Sequence, residues 1–148
     1  MSIPYPEKYM KAELGIGKLA NYQGTQADSK VIGDDEVLFG QGVEVVEHVA
    51  KPYSSGIFFG VALAKNYVDE IEFNKDEKVG KYRKTEMVPV LRKGSVWVKV
   101  DNDVKEGEQA KVTANGNFDV AASGDTVIGV FQSTASKDGL AILQINLP

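Results

Sequence analysis

The clearest pattern of hydrophobic and polar positions lies in the second half of the chain, where valine occupies every second position from Val96 to Val100. Trp97 and Lys99 fall between the valines, and this period of two predicts a β-strand with one buried face. The Asn-Gly dipeptide that begins at Asn115 is typical of a tight hairpin turn, because both central positions of such a turn need a positive φ. Strands separated by turns in this way predict an all-β fold.

Three further apolar runs fit the same fold class. Residues 57–64 form the most apolar run and are predicted to be a fully buried strand, with Gly60 marking a bulge or a close backbone approach. Residues 86–91 contain Pro89, which predicts an edge or bulged strand because proline lacks the N–H that a central strand donates. The terminal run at 140–147 is predicted to pair into the body or at a subunit interface, since a strand this apolar would promote aggregation if exposed.

The first 35 residues differ from the rest of the chain. Prolines 4 and 6 favour extended backbone, glycines interrupt any regular element, and residues 22–35 are polar and irregular. Such a segment has too little periodic apolar surface for a core of its own, and both a disordered tail and an arm that orders on a partner fit it. The sequence therefore predicts a small β-barrel or sandwich over residues 36–148, with an extended, irregular N-terminal arm over residues 1–35.

The predicted β region contains a faint internal repeat. In the first half, Val37 precedes a glycine turn, an alternating strand at 43–45 and the glycine-containing apolar run at 57–61. In the second half, Val104 precedes a glycine turn, an alternating strand at 110–112 and the glycine-containing run at 127–130. Two interpretations fit this order: two similar β units packed against each other, or chance similarity between two β-meanders.

The composition restricts the partners of the protein and leaves the predicted fold unchanged. The chain of 148 residues has a formal net charge of −4, which argues against general attraction to nucleic acid or to an anionic membrane surface. It contains no cysteine, so disulfides and thiolate-bound metals are excluded. The N-terminal segment lacks the apolar stretch of a signal peptide, and no run approaches the ~20 apolar residues of a membrane helix. We expect a soluble protein made in a cytoplasm, without a nucleic acid or a membrane as partner.

Few residues have the arrangement that catalysis or cofactor binding requires. His48 is the single histidine, so it is predicted to be a surface or half-buried residue and not a base or metal ligand. The acidic run that begins at Asp101 has Lys105 where a calcium-binding loop needs an acidic or amide ligand. The glycines that precede Lys18 lack the spacing of a phosphate-binding loop. We therefore predict no enzyme activity, no catalytic residue, no metal site and no cofactor.

Trp97 is the residue of the central strand best suited to a binding role. Its side chain alternates with those of Val96 and Val98, so it faces away from the side that the valines predict to be buried. If that face is exposed to solvent, Trp97 is a candidate interface anchor. If the face is covered, Trp97 belongs to a second layer of the core, and the sequence leaves both interpretations open.

Several short motifs follow one another in order over nearly the whole chain. They are an Ala-Asp-Ser sequence in the arm at 27–29, the run at 37–46 with its paired glycines, FGVA at 59–62, VPVLRKG at 88–94 before VWV at 96–98, and NGNF at 115–118. This order resembles that of the structural cement, or capsid decoration, proteins of tailed bacteriophages. The shared order carries the resemblance, because each motif alone is common in β proteins.

The resemblance implies a non-enzymatic virion protein whose partner is the major capsid protein. Such proteins commonly lie on the outer surface of the capsid at junctions between capsomers, often as trimers, and hold neighbouring subunits together against internal pressure. The resemblance therefore implies a homo-oligomer, with a trimer favoured, that is made in the host cytoplasm. From the chemistry of their side chains, the residues predicted to contact the capsid or another partner are Tyr5, Tyr9, Leu14, Tyr22 and Trp97.

A second virion role also fits the β-rich body and its single tryptophan. The protein would then be a head-fibre base, or a tail or baseplate component, that binds carbohydrate or a host surface. In that alternative, Trp97 would stack on a sugar ring.

Overall fold

The computed structural model describes residues 16–20, 24–65, 73–74 and 79–147, and every regular element in these ranges is a β-strand. The strands are β1 (Gln26–Ile32), β2 (Val37–Leu38), β3 (Gly42–Val46), β4 (Val49–Pro52), β5 (Phe58–Ala62), β6 (Phe73–Asn74), β7 (Val79–Tyr82), β8 (Met87–Lys99), β9 (Gln109–Val112), β10 (Phe118–Val120), β11 (Gly129–Phe131) and β12 (Leu140–Asn146). Within the described ranges, no helix is long and apolar enough to cross a membrane. The predicted all-β fold is confirmed.

The first group of strands forms a small closed barrel, which we call unit 1. Its strands follow the order β1, β4, β3, β5 and β8, and β8 pairs back with β1 to close the ring. Neighbouring strands are antiparallel except β1 and β4, which run parallel through the pairs Val31–Val49 and Ile32–Ala50. Buried apolar residues fill the ring, among them Ile32, Val37, Val43, Ala50, Ala62, Val88 and Val90. A short sheet of β2, β7 and β6 lies beside it.

The second group of strands, unit 2, repeats the order of unit 1. The second half of β8 is followed by β12, β11, β9 and β10, and a single parallel bridge between Val100 and Phe118 returns β10 to the end of β8. Unit 2 has its own buried cluster, which includes Val96, Val98, Val100, Ala110, Phe118, Phe131, Leu143 and Ile145. In unit 2, β8, β10, β9, β11 and β12 take the places of β1, β4, β3, β5 and β8 in unit 1. Of the two interpretations of the sequence repeat, the structure supports two similar β units packed against each other.

The shared strand β8 is longer and more central than the sequence predicted. Its 13 residues pair with β1 and β5 in the first half and with β12 in the second, so the prediction that Pro89 marks an edge or a bulge is wrong. The missing N–H of Pro89 is tolerated because β5 ends at Ala62, and Leu63 N still donates to the carbonyl of Pro89 at 3.0 Å. Gly94, at φ 136°, lies where β8 changes partners from β1 to β12.

Strand β1 lies inside the interval predicted to be an irregular arm. Its first five residues, Gln26 to Lys30, are small or polar, so they lack the alternation of apolar and polar positions that indicates a half-buried strand. The ladder with β8, from the pair Ala27–Leu91 to the pair Val31–Met87, fixes the segment in extended form. The irregular structure predicted for residues 22–35 is therefore wrong for Gln26–Ile32. Residues 1–15 of the predicted arm lie outside the described ranges.

Residues 16–20 join the two units. Gly17 N donates to the carbonyl of Trp97 at 2.8 Å, and Ala64 N, just after β5, donates to the carbonyl of Gly17 at 2.8 Å. A Cβ on Gly17 would lie 2.7 Å from Gly40 N, so only glycine allows this close approach. Strand β12 pairs with both β8 and β11, which confirms the prediction that the terminal apolar run pairs into the body.

Candidate interaction surface

An apolar groove of about 440 Å³ opens where units 1 and 2 meet. Residues from both units line it, and the apolar ones include Tyr53, Ile57, Phe58, Val112, Val127 and Leu147. Lys111, Asp125 and Thr126 add polar groups to the lining. Ile57 is 87% exposed and Val127 is 45% exposed, although both are large apolar residues. Exposed apolar side chains grouped in a depression are typical of a surface that binds another macromolecule.

A row of aromatic rings connects the groove with the core of unit 2. Tyr53 and Phe58 make an edge contact with ring centroids 6.4 Å apart, and Phe58 packs edge-on against the fully buried Phe118 at 6.1 Å. Beneath them, a Cβ on Gly42 would lie 2.8 Å from the Val112 side chain, so the backbone packs closely against the aromatic row. The groove is therefore part of a tightly packed junction and is formed before any partner binds.

On the unit 1 side of the groove, a carboxylate holds the loop that precedes Ile57. Ser54 donates from its N–H and from its hydroxyl to Glu44 Oε1, at 2.9 Å in each case. Burial of the Glu44 carboxyl opposes ionisation and would raise its pKa, but the hydrogen bonds from Ser54 and the charge of Lys51 lower the pKa below its ordinary value. Glu44 is thus a buried carboxylate with a structural role, because its hydrogen bonds fix the loop.

On the unit 2 side, the loop that precedes Val127 is held by an ion pair instead. Asp125 accepts a hydrogen bond from Ala122 N at 2.8 Å and lies 3.1 Å from Lys111 Nζ. The Ala122 N–H, and then Lys111, lower the pKa of Asp125. By the strand pairing, Lys111 occupies in β9 the position of Glu44 in β3. The two units therefore fix equivalent loops with charges of opposite sign, and each loop presents an apolar residue to the groove.

A second, polar hollow of about 550 Å³ adjoins the apolar groove, and Tyr53 lines both. Its lining includes Glu36, Lys51 and Lys81, and Lys81 Nζ lies 3.1 Å from a carboxylate oxygen of Glu36. Charges of both signs next to an apolar centre resemble the anatomy of a protein–protein interface, which has an apolar core and a polar rim.

None of the interface residues predicted from the sequence is among the described residues that line the groove. Tyr5, Tyr9, Leu14 and Tyr22 lie outside the described ranges, so their role stays a prediction. Trp97 is half-buried and belongs to neither buried cluster, and its backbone pairs with residues 16–20. Its role as an interface anchor also stays a prediction.

Among the described residues, the histidine and the acidic side chains do not cluster into a catalytic or metal-binding site. His48 is exposed in the turn between β3 and β4, at φ 70°, as predicted for a surface histidine. Asp34 lies 3.0 Å from Lys84 Nζ, and Glu36 pairs with Lys81. In the part of the chain that the structure describes, no three acidic or histidine side chains lie close enough to hold a metal ion together.

Sequence reasoning missed the two most prominent groove residues. Ile57 was expected to be fully buried as part of the run 57–64, but β5 begins one residue later, at Phe58. Strand β5 is shorter than the apolar run 57–64, so part of the run lies outside the strand. Val127 likewise lies shortly before the first residue of its strand, β11. The sequence did contain a signal for these two residues: in both copies of the repeat, an apolar residue lies between the loop and the strand.

Comparison with known proteins gives the family. A family model described as "Structural cement protein (E217 gp24/Pam3 gp6)" matches residues 5–146. The chain belongs to this structural cement protein family. A chain from a solved structure entitled "The capsid of Myoviridae Phage XM1" has the same fold, with a TM-score of 0.68, 12% sequence identity and 92% of each chain covered.

A second solved chain, "The crystal structure of head fiber gp8.5 N base in bacteriophage phi29", aligns with a TM-score of 0.49 and 14% identity, over 82% of this chain and 94% of that chain. No curated protein matches the sequence. The predicted resemblance to phage cement proteins is confirmed by the family match, which supports a structural role in the virion and an association with the capsid.

Proposed function

We propose that this protein binds the outside of a phage major capsid shell and cements neighbouring capsomers. The observation that carries the proposal is the preformed apolar groove, with Ile57 87% exposed, in a member of the structural cement family. In this proposal the protein is made in the host cytoplasm, assembles on the shell as a homo-oligomer with a trimer favoured, and has no enzyme activity.

The geometry of the groove suits a protein that must bind many identical sites. Burial of one exposed aliphatic side chain such as that of Ile57 contributes about 1.5–3 kcal/mol. The loops that present Ile57 and Val127 are already held by Glu44 and by the Lys111–Asp125 pair, so little ordering cost opposes binding. Modest affinity per copy is sufficient, because an oligomer that contacts several capsomers gains from multivalency.

The N-terminal residues supply a second set of contacts in this proposal. Tyr5, Tyr9, Leu14 and Tyr22 are large side chains suited to interface pockets. The chain enters the described fold at residues 16–20, which are hydrogen-bonded between the units. An arm bound to the capsid would therefore be anchored to the barrel through residues 16–20.

The test is co-sedimentation with mature shells that lack the protein. Wild type should bind at micromolar concentration, and Ile57→Asp should bind about thirtyfold more weakly, which corresponds to about 2 kcal/mol for the loss of a central apolar anchor. The matched control is Met87→Asp, because Met87 is also apolar, is 58% exposed and does not line the groove. The control should bind as wild type does.

Two outcomes would contradict parts of the proposal. If wild type ignores expanded shells at micromolar concentration, capsid binding is wrong. If Ile57→Asp and Met87→Asp bind equally well, the groove is not the contact surface. Deletion of residues 1–15 should weaken binding while the barrel stays folded, and the deletion has to end there because β1 belongs to the barrel.

A further inference from the structure

In unit 2, an added segment, residues 16–20, pairs along one edge of β8 through an isolated bridge between Leu19 and Val96. Gly17 N donates to the carbonyl of Trp97 at 2.8 Å, and Trp97 N donates to the carbonyl of Lys18 at 3.0 Å. Ala20 N donates to the carbonyl of Ser95 at 2.9 Å. Residues 16–20 therefore run antiparallel to β8 and occupy the edge that faces away from β12.

The equivalent edge of unit 1 belongs to β1. The parallel pair that closes unit 1 joins Ile32 and Ala50, and the parallel bridge in unit 2 joins Val100 and Phe118. These two pairs occupy the same place in the two rings. The residues that precede Ile32 therefore correspond one by one to the residues that precede Val100.

Two residues of β1 direct backbone groups to this edge, where no other described residue is recorded as their partner. Counted back from the closing pairs, Ser29 corresponds to Trp97 and Ala27 corresponds to Ser95. Val31 N donates toward β4, to the carbonyl of His48 at 3.3 Å, and alternate residues direct their N–H and C=O groups to the same side of a strand. β4 pairs only with residues 31 and 32 of β1, so Ala27 and Ser29 face no strand on that side among the described residues. Both are exposed.

We propose that the edge of β1 at residues 27–29 binds residues 10–14 of a second copy as an added antiparallel strand. Addition of an extended segment to an open strand edge is an established mode of protein recognition. The segment MKAEL at 10–14 alternates apolar and polar residues with a period of two, as an added strand requires. Only Gly15 separates it from the residues that fill the equivalent edge of unit 2. The inference rests on the homo-oligomer in the proposed function and supplies its contact.

The direction of the chain favours a second copy over the same copy. Ala20 pairs beside Ser95 and Gly17 beside Trp97, so the chain traced back toward the N-terminus runs toward the end of β8. The open edge lies beside residues 89–91, on the order of 20 Å back along the strand from Trp97 at about 3.3 Å per residue. A single residue separates the segment 10–14 from Ile16, which leaves too little chain to reverse and return to its own β1.

The absence of cysteine from the chain makes a direct test possible. Copies with Ala12→Cys and copies with Ser29→Cys, distinguishable by a tag, are mixed in solution and on shells and treated with a short bismaleimide. We expect adducts between the two kinds of copy at least tenfold above those formed when Lys105→Cys, an exposed site in unit 2, replaces Ser29→Cys. An Ala12→Cys/Ser29→Cys double variant should likewise cross-link between copies.

A second pair of variants tests the backbone group itself. Ser29→Pro removes the N–H that points outward and keeps the ladder with β8, whereas Ser29→Ala retains the N–H. Ser29→Pro loses one hydrogen bond and places the proline ring at the edge of β1 where the added strand would bind. Self-association should therefore be about tenfold weaker. Circular dichroism and the melting temperature should show that both variants are folded.

Three outcomes would overturn the inference. The first is that adducts between Ala12→Cys and Ser29→Cys copies are no more abundant than those with Lys105→Cys, both in solution and on shells. The others are cross-linking of the double variant within a single chain, and equal self-association of Ser29→Pro and Ser29→Ala. Sedimentation of wild type with shells is scored separately. Shell binding without copy-to-copy adducts removes the inference alone, whereas failure of wild type to bind shells removes the proposed function.

Discussion

Units 1 and 2 share one strand order but keep identical residues at few equivalent positions. Gly60 in β5 and Gly129 in β11 are an exception. A Cβ on Gly60 would lie 2.3 Å from the carbonyl oxygen of Leu91, and a Cβ on Gly129 would lie 2.2 Å from the carbonyl oxygen of Gln144. Both units need glycine here because the neighbouring backbone leaves no space for a side chain. Close backbone approach therefore determines residue identity in both copies.

At other equivalent positions the two units carry different side chains, and each side chain suits its own neighbours. Ala50 in unit 1 occupies the position of Phe118 in unit 2, where the larger ring reaches Phe58 of the other unit. Glu44 and Lys111 hold equivalent loops through charges of opposite sign. A loop can be fixed by either sign of charge, because hydrogen bonding and ion pairing require only a complementary group. The comparison shows that the topology fixes a few backbone contacts and leaves the other side chains free to diverge.

The largest expected effect is on the contact between the units. Phe118→Ala should lower the free energy of unfolding by about 4 kcal/mol, since Phe118 is fully buried and its removal leaves a cavity. Urea denaturation measures the loss. The matched variant Phe131→Ala removes an equally buried ring, and among the described residues no ring of unit 1 contacts it. Equal coupling of both variants to Phe58→Ala in double-mutant cycles would contradict a specific role of Phe118 at the junction.

The next effect tests the equivalence of the two glycines. Gly60→Ala and Gly129→Ala should each cost about 3 kcal/mol, because the new methyl group forces two backbone segments apart. Gly107→Ala and Gly124→Ala are controls with open space around the Cβ and φ values of 94° and 92°, so they should cost only about 1–2 kcal/mol from backbone strain. Thermal and urea unfolding of the four variants measure the difference. A mild Gly60→Ala beside a severe Gly129→Ala would show that the units are not packed alike.

The smallest effect concerns the charges that hold the loops. Glu44→Gln should cost about 1.5 kcal/mol at neutral pH, since the buried carboxylate accepts two hydrogen bonds from Ser54. The folded-state pKa of Glu44 is lowered below its ordinary value of 4.5, so its contribution is complete above that value and is lost as the pH falls through the folded pKa. Unfolding measured from neutral to acid pH should show the gap between wild type and Glu44→Gln closing at the acid end.

The equivalent change in unit 2 serves as the comparison for Glu44→Gln. Asp125 also has a lowered pKa, with the hydrogen bond from Ala122 N as the main cause, but it is exposed to solvent. Asp125→Asn should therefore cost less than Glu44→Gln at neutral pH, because water screens the ion pair with Lys111. A larger cost for Asp125→Asn would mean that the exposed ion pair contributes more to unit 2 than the buried carboxylate contributes to unit 1.

The elements determined by local sequence are those with a strong period or a turn signal. The alternating valines from Val96 to Val100 and the pairing of the terminal run appear in the structure as predicted. A turn also forms at Asn115, but only Gly116, at φ 84°, has a positive φ there, so the prediction of positive φ at both positions is wrong. The family was also predictable, because the order of short motifs extends over nearly the whole chain. These features need no knowledge of distant contacts: side chains alternate across any strand, and a tight turn selects glycine and asparagine wherever it occurs.

Tertiary structure alone determined the remainder. β1 is a strand because β8 supplies its hydrogen bonds, and Pro89 is central because its missing N–H lies where β5 has already ended. Ile57 is exposed because β5 begins after it, at a loop that Glu44 fixes from the neighbouring strand β3. For β1 and Pro89 the deciding pairing joins residues far apart in sequence, and such pairing leaves no local period. The sequence therefore determined the kind of fold and the family, and the three-dimensional packing determined the candidate contact surface.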